Sequence, residues 1–246
     1  MQNVKEKVSV IIPVYNEEQT IARNIEKIKE NLDAISDNRE FEIIVVDDGS
    51  TDDTLQAVEW MQYSLAEIEW TLFNNGKGAA FLKGCEKVTG DYVVLMDSDM
   101  QIDIHDLESF FRISLLYNAP VVIGNKRHHY SYTHYSLVRR IISRGYNFMC
   151  RMMFGFNLRD TQCGMKLFKR SALDKIKDKL MVKRFAFDLE LIVAFRENDI
   201  RIATAPVRVE KQKGSGSVNI RNIIDTARDT LAVWLRKKRG WYRCKP

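Results

Sequence analysis

The chain is poor in the residues that define several simpler protein classes. It carries four cysteines, at 85, 150, 163 and 244, with no Cys-x-x-Cys pair among its 246 residues. That spacing argues against a disulfide framework or a structural zinc site and suits a reducing compartment. Four prolines and twelve glycines are too few for a collagen-like or low-complexity chain. No apolar run is long enough to span a bilayer, and Met1 to Lys7 leads into a strand pattern without a signal-peptide core. The expectation is a cytoplasmic protein whose membrane attachment is peripheral, on the cytoplasmic face.

What is present is an ordinary globular composition. Hydrophobic residues make up 45% and charged residues 29%, and the length suffices for one large domain with a proper core. A net charge of +5 favours an anionic partner such as a nucleotide, a phosphate or an acidic lipid headgroup. Much of that surplus lies in the tail, from Arg236 to Lys245.

Along the first half, short apolar runs alternate with helical periodicity, the pattern of a mainly parallel sheet flanked by helices. Val8 to Val14 reads as a buried strand. Ile21, Ile25, Ile28, Leu32 and Ile35 then fall on one helical face. Phe41 to Val46 is a second strand, Trp70 to Phe73 a weaker third, and Tyr92 to Met96 a central fourth. A helix is expected from about Ala79. Beyond Asn125 the alternation breaks. Helices are expected over Leu137 to Phe154, Phe187 to Arg196 and Ile220 to Arg236, with strands over Cys163 to Lys169 and Ile202 to Val209. The division expected is a donor-binding half (1–125), an acceptor-binding and catalytic half (126–218) sharing its sheet, and an amphipathic basic C-terminal helix and tail (219–246).

Ligands of open α/β sheets bind outside the carboxyl ends of strands, so the polar clusters after Val14, Val46 and Met96 should converge on one crevice. Asp97 and Asp99, one residue apart at a strand end, can approach a single hard cation, with Gln101 offering a further oxygen. An isolated Asp-x-Asp more often caps a turn, but here an apolar central strand leads directly into it. Asp47 and Asp48 either cap the following helix or accept hydrogen bonds from a base or ribose. Tyr15, Asn16 and Glu17 offer a stacking ring and two polar groups. Gly76-Lys77-Gly78 before a helix would let backbone N–H groups and an ammonium face a phosphate. Neither a P-loop nor a Gly-x-Gly-x-x-Gly fingerprint is present.

Four ordered blocks, Val10 to Glu17, Val45 to Asp52, Gly76-Lys77-Gly78 and Asp97 to Gln101, together resemble the inverting family-2 glycosyltransferases of the GT-A fold. Farther on, Gly124 to Arg127, Arg139 to Asn147 and Asp160 to Phe168 resemble the polyprenyl-phosphate glycosyltransferases, which include the dolichyl-phosphate mannose and glucose synthases. Gln162-Cys163-Gly164 and Phe187 to Leu191 look closer to the glucose-transferring branch. The resemblance implies a GT-A type, Rossmann-like mixed α/β sheet with C-terminal amphipathic helices. It implies a nucleotide-sugar donor, of UDP-glucose or GDP-mannose type, and a polyprenyl phosphate acceptor. Asp97, Asp99 and Gln101 would ligate Mg²⁺ or Mn²⁺, and Pro13, Tyr15, Asn16, Glu17, Asp47, Asp48, Lys77 and Asp97 would line the donor. Arg127, Arg139, Ser143 and Lys213 would hold phosphates near the reacting centre, since arginine forks match phosphate oxygens.

In the mechanism so implied, the metal neutralises charge on the leaving nucleoside diphosphate while the acceptor attacks from the opposite face. A lipid phosphate is already ionised near neutral pH and needs little base assistance; the nearer alternative, a family-2 glycosyltransferase acting on a saccharide hydroxyl, needs a base. Asp188 is the first candidate for that base, with Glu190 and Asp160 behind it. A sugar nucleotidyltransferase is a more distant alternative. A basic nucleic-acid-binding module would also explain the charge, but it leaves the four donor-site blocks without a purpose, so no nucleic acid partner is expected. The last helix, with Ile220, Ile223, Ile224, Ala227 and Leu231 at helical spacing before the basic tail, suits either the domain's own surface or an anionic membrane.

Overall fold

The computed structural model describes residues 5–36, 38–63, 66–126, 137–155, 163–184, 186–209 and 220–244. The first half follows the expected alternation: β1 (Glu6–Val14), α1 (Ile21–Ala34), β2 (Arg39–Asp47), α2 (Thr54–Glu59), β3 (Glu67–Trp70), α3 (Lys77–Cys85), β4 (Tyr92–Leu95), α4 (Leu107–Leu116) and β5 (Val121–Asn125). Then come α5 (Leu137–Phe154), β6 (Lys166–Lys169), α6 (Arg170–Asp174), α7 (Phe187–Arg196), β7 (Ile202–Pro206) and α8 (Ile220–Lys238).

The strands form one sheet in the order β3-β2-β1-β4-β6-β5-β7. All the pairings are parallel except those of β6, which runs antiparallel to both β4 and β5. Strand β6 therefore joins the strands of the two halves through the middle of a single sheet. Its register sets Lys166 beside Leu95 on one side and Ile123 on the other. Because the two chains run in opposite directions there, Gly164, two residues before Lys166, comes to face Asp97, two residues after Leu95.

The helices pack as their apolar spacing dictates. Ile21, Ile25, Ile28 and Leu32 of α1 are fully buried, each contributing about 2 kcal/mol of apolar burial. Every residue of α7 from Phe187 to Phe195 is buried, as expected for a helix apolar on nearly all sides. Its two acids, Asp188 and Glu190, are carried inside with it and require partners there. Phe81 of α3 meets Phe168 of β6 and Phe187 of α7 with ring centroids 5.8 and 5.4 Å apart, which ties α7 to the sheet. Helix α8 sends Val233 into the core, and Tyr242 beyond it is equally buried. Among the described residues no helix is long and apolar enough to cross a membrane.

The third strand is Glu67–Trp70, not Trp70 to Phe73. Apolarity misleads at this point because Leu72 and Phe73 lie past the sheet and are strongly exposed. The strand itself is an edge whose Glu67 and Glu69 pair with Lys87, a charged rim of the kind that discourages edge-to-edge association. Helix α3 begins two residues earlier than expected, and α4 and β5 fill a stretch that the sequence pattern leaves unassigned.

Candidate active site at the strand ends

The loops leaving β1 and β2 are bound to one another before any ligand is considered. The Asn16 N–H donates to Ser50 Oγ (2.9 Å), the Thr51 N–H to Asn16 Oδ1 (2.8 Å) and the Glu17 N–H to Thr54 Oγ1 (2.7 Å). Asn16 sits at φ +53°, a left-handed conformation that asparagine tolerates better than most side chains. Tyr15 is left projecting, with 42% of its surface exposed, and so offers an open ring face. Asp47 accepts from the Ser50 N–H at 3.2 Å and from its hydroxyl. Asp48 accepts from the backbone N–H groups of Asn75 (3.0 Å) and Gly76 (2.7 Å). Both acids are buried. Each closes a loop with its carboxylate, although a carboxylate retains further lone pairs for a ligand N–H.

Gly76 takes φ +100° and opens α3, a backbone position that suits glycine. Its N–H is held by Asp48, and the Gly78 N–H donates to the Lys183 carbonyl at 2.8 Å. Of the backbone cradle expected at Gly76-Lys77-Gly78, those two donors are already committed, and the Lys77 ammonium is what faces the crevice. It is ion-paired to Asp97 Oδ1. The other oxygen of Asp97 lies over Gly164, where a Cβ would stand only 1.9 Å from Oδ2. Burial opposes the charge on Asp97, yet Lys77, with Lys166 and Lys126 beyond it, holds its carboxyl below the ordinary range.

Asp99 accepts from the Gln101 N–H at 3.1 Å. Burial holds it above the ordinary carboxylate range, with Asp97 adding to the effect. Glu17 is shifted upward by burial as well, and accepts from Ser98 Oγ at 2.5 Å. Asp97, Asp99, Gln101, Lys126 and Gly164 help to line a cavity of about 10 Å³, room for about one water-sized sphere. Among the described residues no cluster of three or more His, Cys, Asp or Glu could enclose a metal. Two carboxylates and an amide around an ion-sized space instead fit a hard cation that completes its shell with water and phosphate oxygens.

Asp188, buried on α7, is held next to the strand-end site by Lys166 of β6. Its Oδ1 lies 2.8 Å from the ammonium of Lys166, a lysine whose side chain is wholly buried. Lys166 donates in addition to the Cys163 carbonyl. The Asp188 contact is an ion pair without hydrogen-bond alignment, and Asp188 also adds to the field around Lys77. Glu190, carried as a second candidate base, is placed differently. It is fully buried and accepts from the N–H groups of Met181 (2.8 Å) and Val182 (2.7 Å), from Arg236 (3.1 Å) and from the Tyr242 hydroxyl (2.6 Å). Four donors of its own chain surround that carboxylate, which makes it an anchor for the chain's end.

Pro13, the penultimate residue of β1, lies beside Val46. Arg127, Asp160 and Lys213 lie outside the described residues, as do the side chains of Arg139 and Ser143, whose backbones belong to α5. Nothing local in the sequence marks Lys166 as a site residue, and Gly164 stands out there only within the Gln162-Cys163-Gly164 motif. A lysine amid the apolar run Met165 to Phe168 was the available signal for a buried charge.

Residues 9–177 match the model of the family described as glycosyl transferase family 2. A dolichyl-phosphate β-glucosyltransferase of Trichomonas vaginalis is 31% identical over 92% of this chain and 72% of its own length. One from Drosophila melanogaster is 29% identical over 96% of this chain and 77% of its own. Among solved structures, glucosyl-3-phosphoglycerate synthase of Mycobacterium tuberculosis, in complex with Mn²⁺, uridine diphosphate and glucosyl-3-phosphoglycerate, superposes with a TM-score of 0.66 at 21% identity. That alignment covers 94% of this chain and 79% of the other, and it identifies the fold as GT-A.

Proposed function

The chain belongs to glycosyl transferase family 2, and from that membership we propose that it transfers a hexose, glucose in the first instance, from a nucleotide sugar to a polyprenyl phosphate with inversion. The observation that carries the reading is the strand-end cavity between Asp97 and Asp99, with Lys77 and Asp188 beside it. Similarity to the two dolichyl-phosphate β-glucosyltransferases supports the acceptor class, since it runs through the second half of the chain as well as the first.

Asp97, Asp99 and Gln101 would hold Mg²⁺ or Mn²⁺, which when bound neutralises charge on the leaving diphosphate. The chain's own groups do the rest. Tyr15 stacks on the base, Asp48 accepts from a base N–H, and residues 1–125 as a whole serve the donor. Lys77 meets the diphosphate as a point charge. Asp188, fixed by Lys166, accepts a hydrogen bond from a hydroxyl of the sugar and orients it. Residues 126–218 receive the acceptor, and Arg127, Arg139, Ser143 and Lys213 are assigned to its phosphate on the family resemblance. Because that phosphate is already an anion, Asp188 is not required as a base.

The acceptor is a lipid, and the surface suits a membrane's edge. Phe148 and Met152 on α5 are exposed apolar side chains, and so are Ile224, Leu231 and Leu235 on α8, the helix that leads into the basic run Arg236 to Arg239. Such a surface binds anionic bilayers through apolar insertion and charge together.

Incubation with Mn²⁺ or Mg²⁺, UDP-glucose or GDP-mannose and a short polyprenyl phosphate tests the assignment by mass spectrometry. A hexosyl phospholipid is expected, with UDP-glucose the better donor. Transfer only to a saccharide would contradict it. Flotation with anionic vesicles tests the surface: Leu231→Glu with Phe148→Glu should weaken association, and unchanged flotation would remove the membrane reading.

A further inference from the structure

Building on the reading of Asp97 and Asp99 as donor-metal ligands, we propose that Lys77 makes divalent-cation binding conditional on the nucleoside diphosphate. Its ammonium competes with the cation for Asp97 and gives up that carboxylate when a diphosphate takes its charge over.

The competition follows from how Asp97 is held. Oδ2 is seated over Gly164, with no space for even a Cβ between them, and Oδ1 carries the Lys77 ammonium. An ammonium and a divalent ion cannot share one carboxylate oxygen without strong repulsion. The protein offers the cation little to win the exchange alone, because among the described residues the cavity lining brings the carboxylates of Asp97 and Asp99 and the amide of Gln101 together with the cationic Lys126, whereas Mg²⁺ is six-coordinate. A diphosphate changes both sides of the balance. It supplies the missing oxygen ligands, and it gives the ammonium a second anion.

The arriving phosphate is directed to the side chain because the nearest glycine donors are engaged. The Gly76 N–H is held by Asp48 and the Gly78 N–H by the Lys183 carbonyl. Lys77 also has somewhere to go, since it starts α3 on a flexible stem, keeps about a third of its side chain accessible, and already feels the field of Asp188. The consequence is that cation and nucleotide enter together. Divalent ions alone do not load the site, and nucleotide alone leaves Asp97 and the diphosphate sharing one ammonium.

Calorimetric titration of the full chain with Mn²⁺, in the absence and presence of UDP, reads this directly. Lys77→Met is expected to bind Mn²⁺ alone about tenfold more tightly than the unaltered protein. UDP should strengthen Mn²⁺ binding far more in the unaltered protein than in Lys77→Met, and Lys77→Arg, which keeps the charge, should follow the unaltered protein. Adding Asp97→Asn to Lys77→Met should abolish the gain, locating it at that carboxylate. Circular dichroism establishes that each variant is folded. The proposal is overturned if Lys77→Met binds Mn²⁺ alone no more tightly, or if UDP strengthens Mn²⁺ binding equally in both. Failure of the underlying site assignment has a separate signature: Asp97→Asn in the otherwise unaltered chain would leave Mn²⁺ uptake with UDP unchanged, and the proposal would fall with it.

Discussion

Asp97 is gripped from two sides, by an ammonium on one oxygen and by bare backbone under the other. Gly164→Ala would place a methyl 1.9 Å from Oδ2, so the carboxylate must swing away from its present position. Displacements of that size at a reacting centre cost about 100-fold in rate. Transfer by Gly164→Ala should fall by about that factor while its unfolding midpoint moves little, and equal activity would show that the position of Asp97 is not critical. At Asp188, substitution by Asn keeps the shape and removes the charge that Lys166 faces. With a phosphate acceptor, a loss of about tenfold is expected from weakened positioning, without a new dependence on pH. Near-complete loss would mean that Asp188 is the base after all. The Asp97, Asp99 and Asp188 candidates were legible in the sequence because each ends a strand or starts a helix inside a recognisable block. Gly164 and Lys166 gained meaning only from the antiparallel register of β6, which no local pattern announces.

At the scale of elements, the opposite end of the sheet is held by a polar cluster that has no part in the crevice. Ser9 of β1 and Glu42 of β2 are register partners, and the Ser9 hydroxyl donates to Glu42 at 2.5 Å. Lys7 pairs with the same carboxylate at 2.7 Å, and Thr89 donates through its N–H (2.9 Å) and hydroxyl (2.6 Å). Burial works against this charge, but the donors prevail and bring the Glu42 carboxyl down from 4.5 to about 2. A depressed acid stabilises the fold above its unfolded pKa and loses that contribution as pH falls through the folded value. Glu42 should therefore contribute on the order of 2 kcal/mol above about pH 4.5, declining toward pH 2. Urea unfolding of Glu42→Gln should show lower stability at neutral pH and a flatter decline across that window; parallel curves would contradict the assignment. Most elements were visible in the sequence as periodic apolar spacing. Beside the unassigned α4 and β5, the misplaced element is β3, and its cause is physical: it is an edge strand built partly of glutamates, and the apolar Leu72 and Phe73 beside it face solvent.

Across the whole molecule, Glu190 joins the chain's end to its interior. It links α7, the Met181–Val182 backbone, Arg236 of α8 and Tyr242. The sequence offered two readings of the final helix, the domain surface or the membrane. The structure packs one face of α8, through Val233 and the Arg236–Glu190 pair, and leaves Ile224, Leu231 and Leu235 outward. Removing one partner of a buried pair costs about 3 kcal/mol. Glu190→Gln should lose stability of that order in urea, with kcat of the folded protein changed only a few-fold. A collapse of kcat at unchanged stability would return Glu190 to the chemistry.

Inverting transfer to a lipid phosphate is read out in the configuration of the product. Purified protein, Mn²⁺, UDP-glucose labelled with ¹³C at the anomeric carbon and a short polyprenyl phosphate would be followed by nuclear magnetic resonance. The α-linked donor signal is expected to be replaced by that of a β-linked glucosyl phosphodiester, with ³¹P coupling to the labelled carbon. An α-linked product, or free glucose as the sole product, would contradict it.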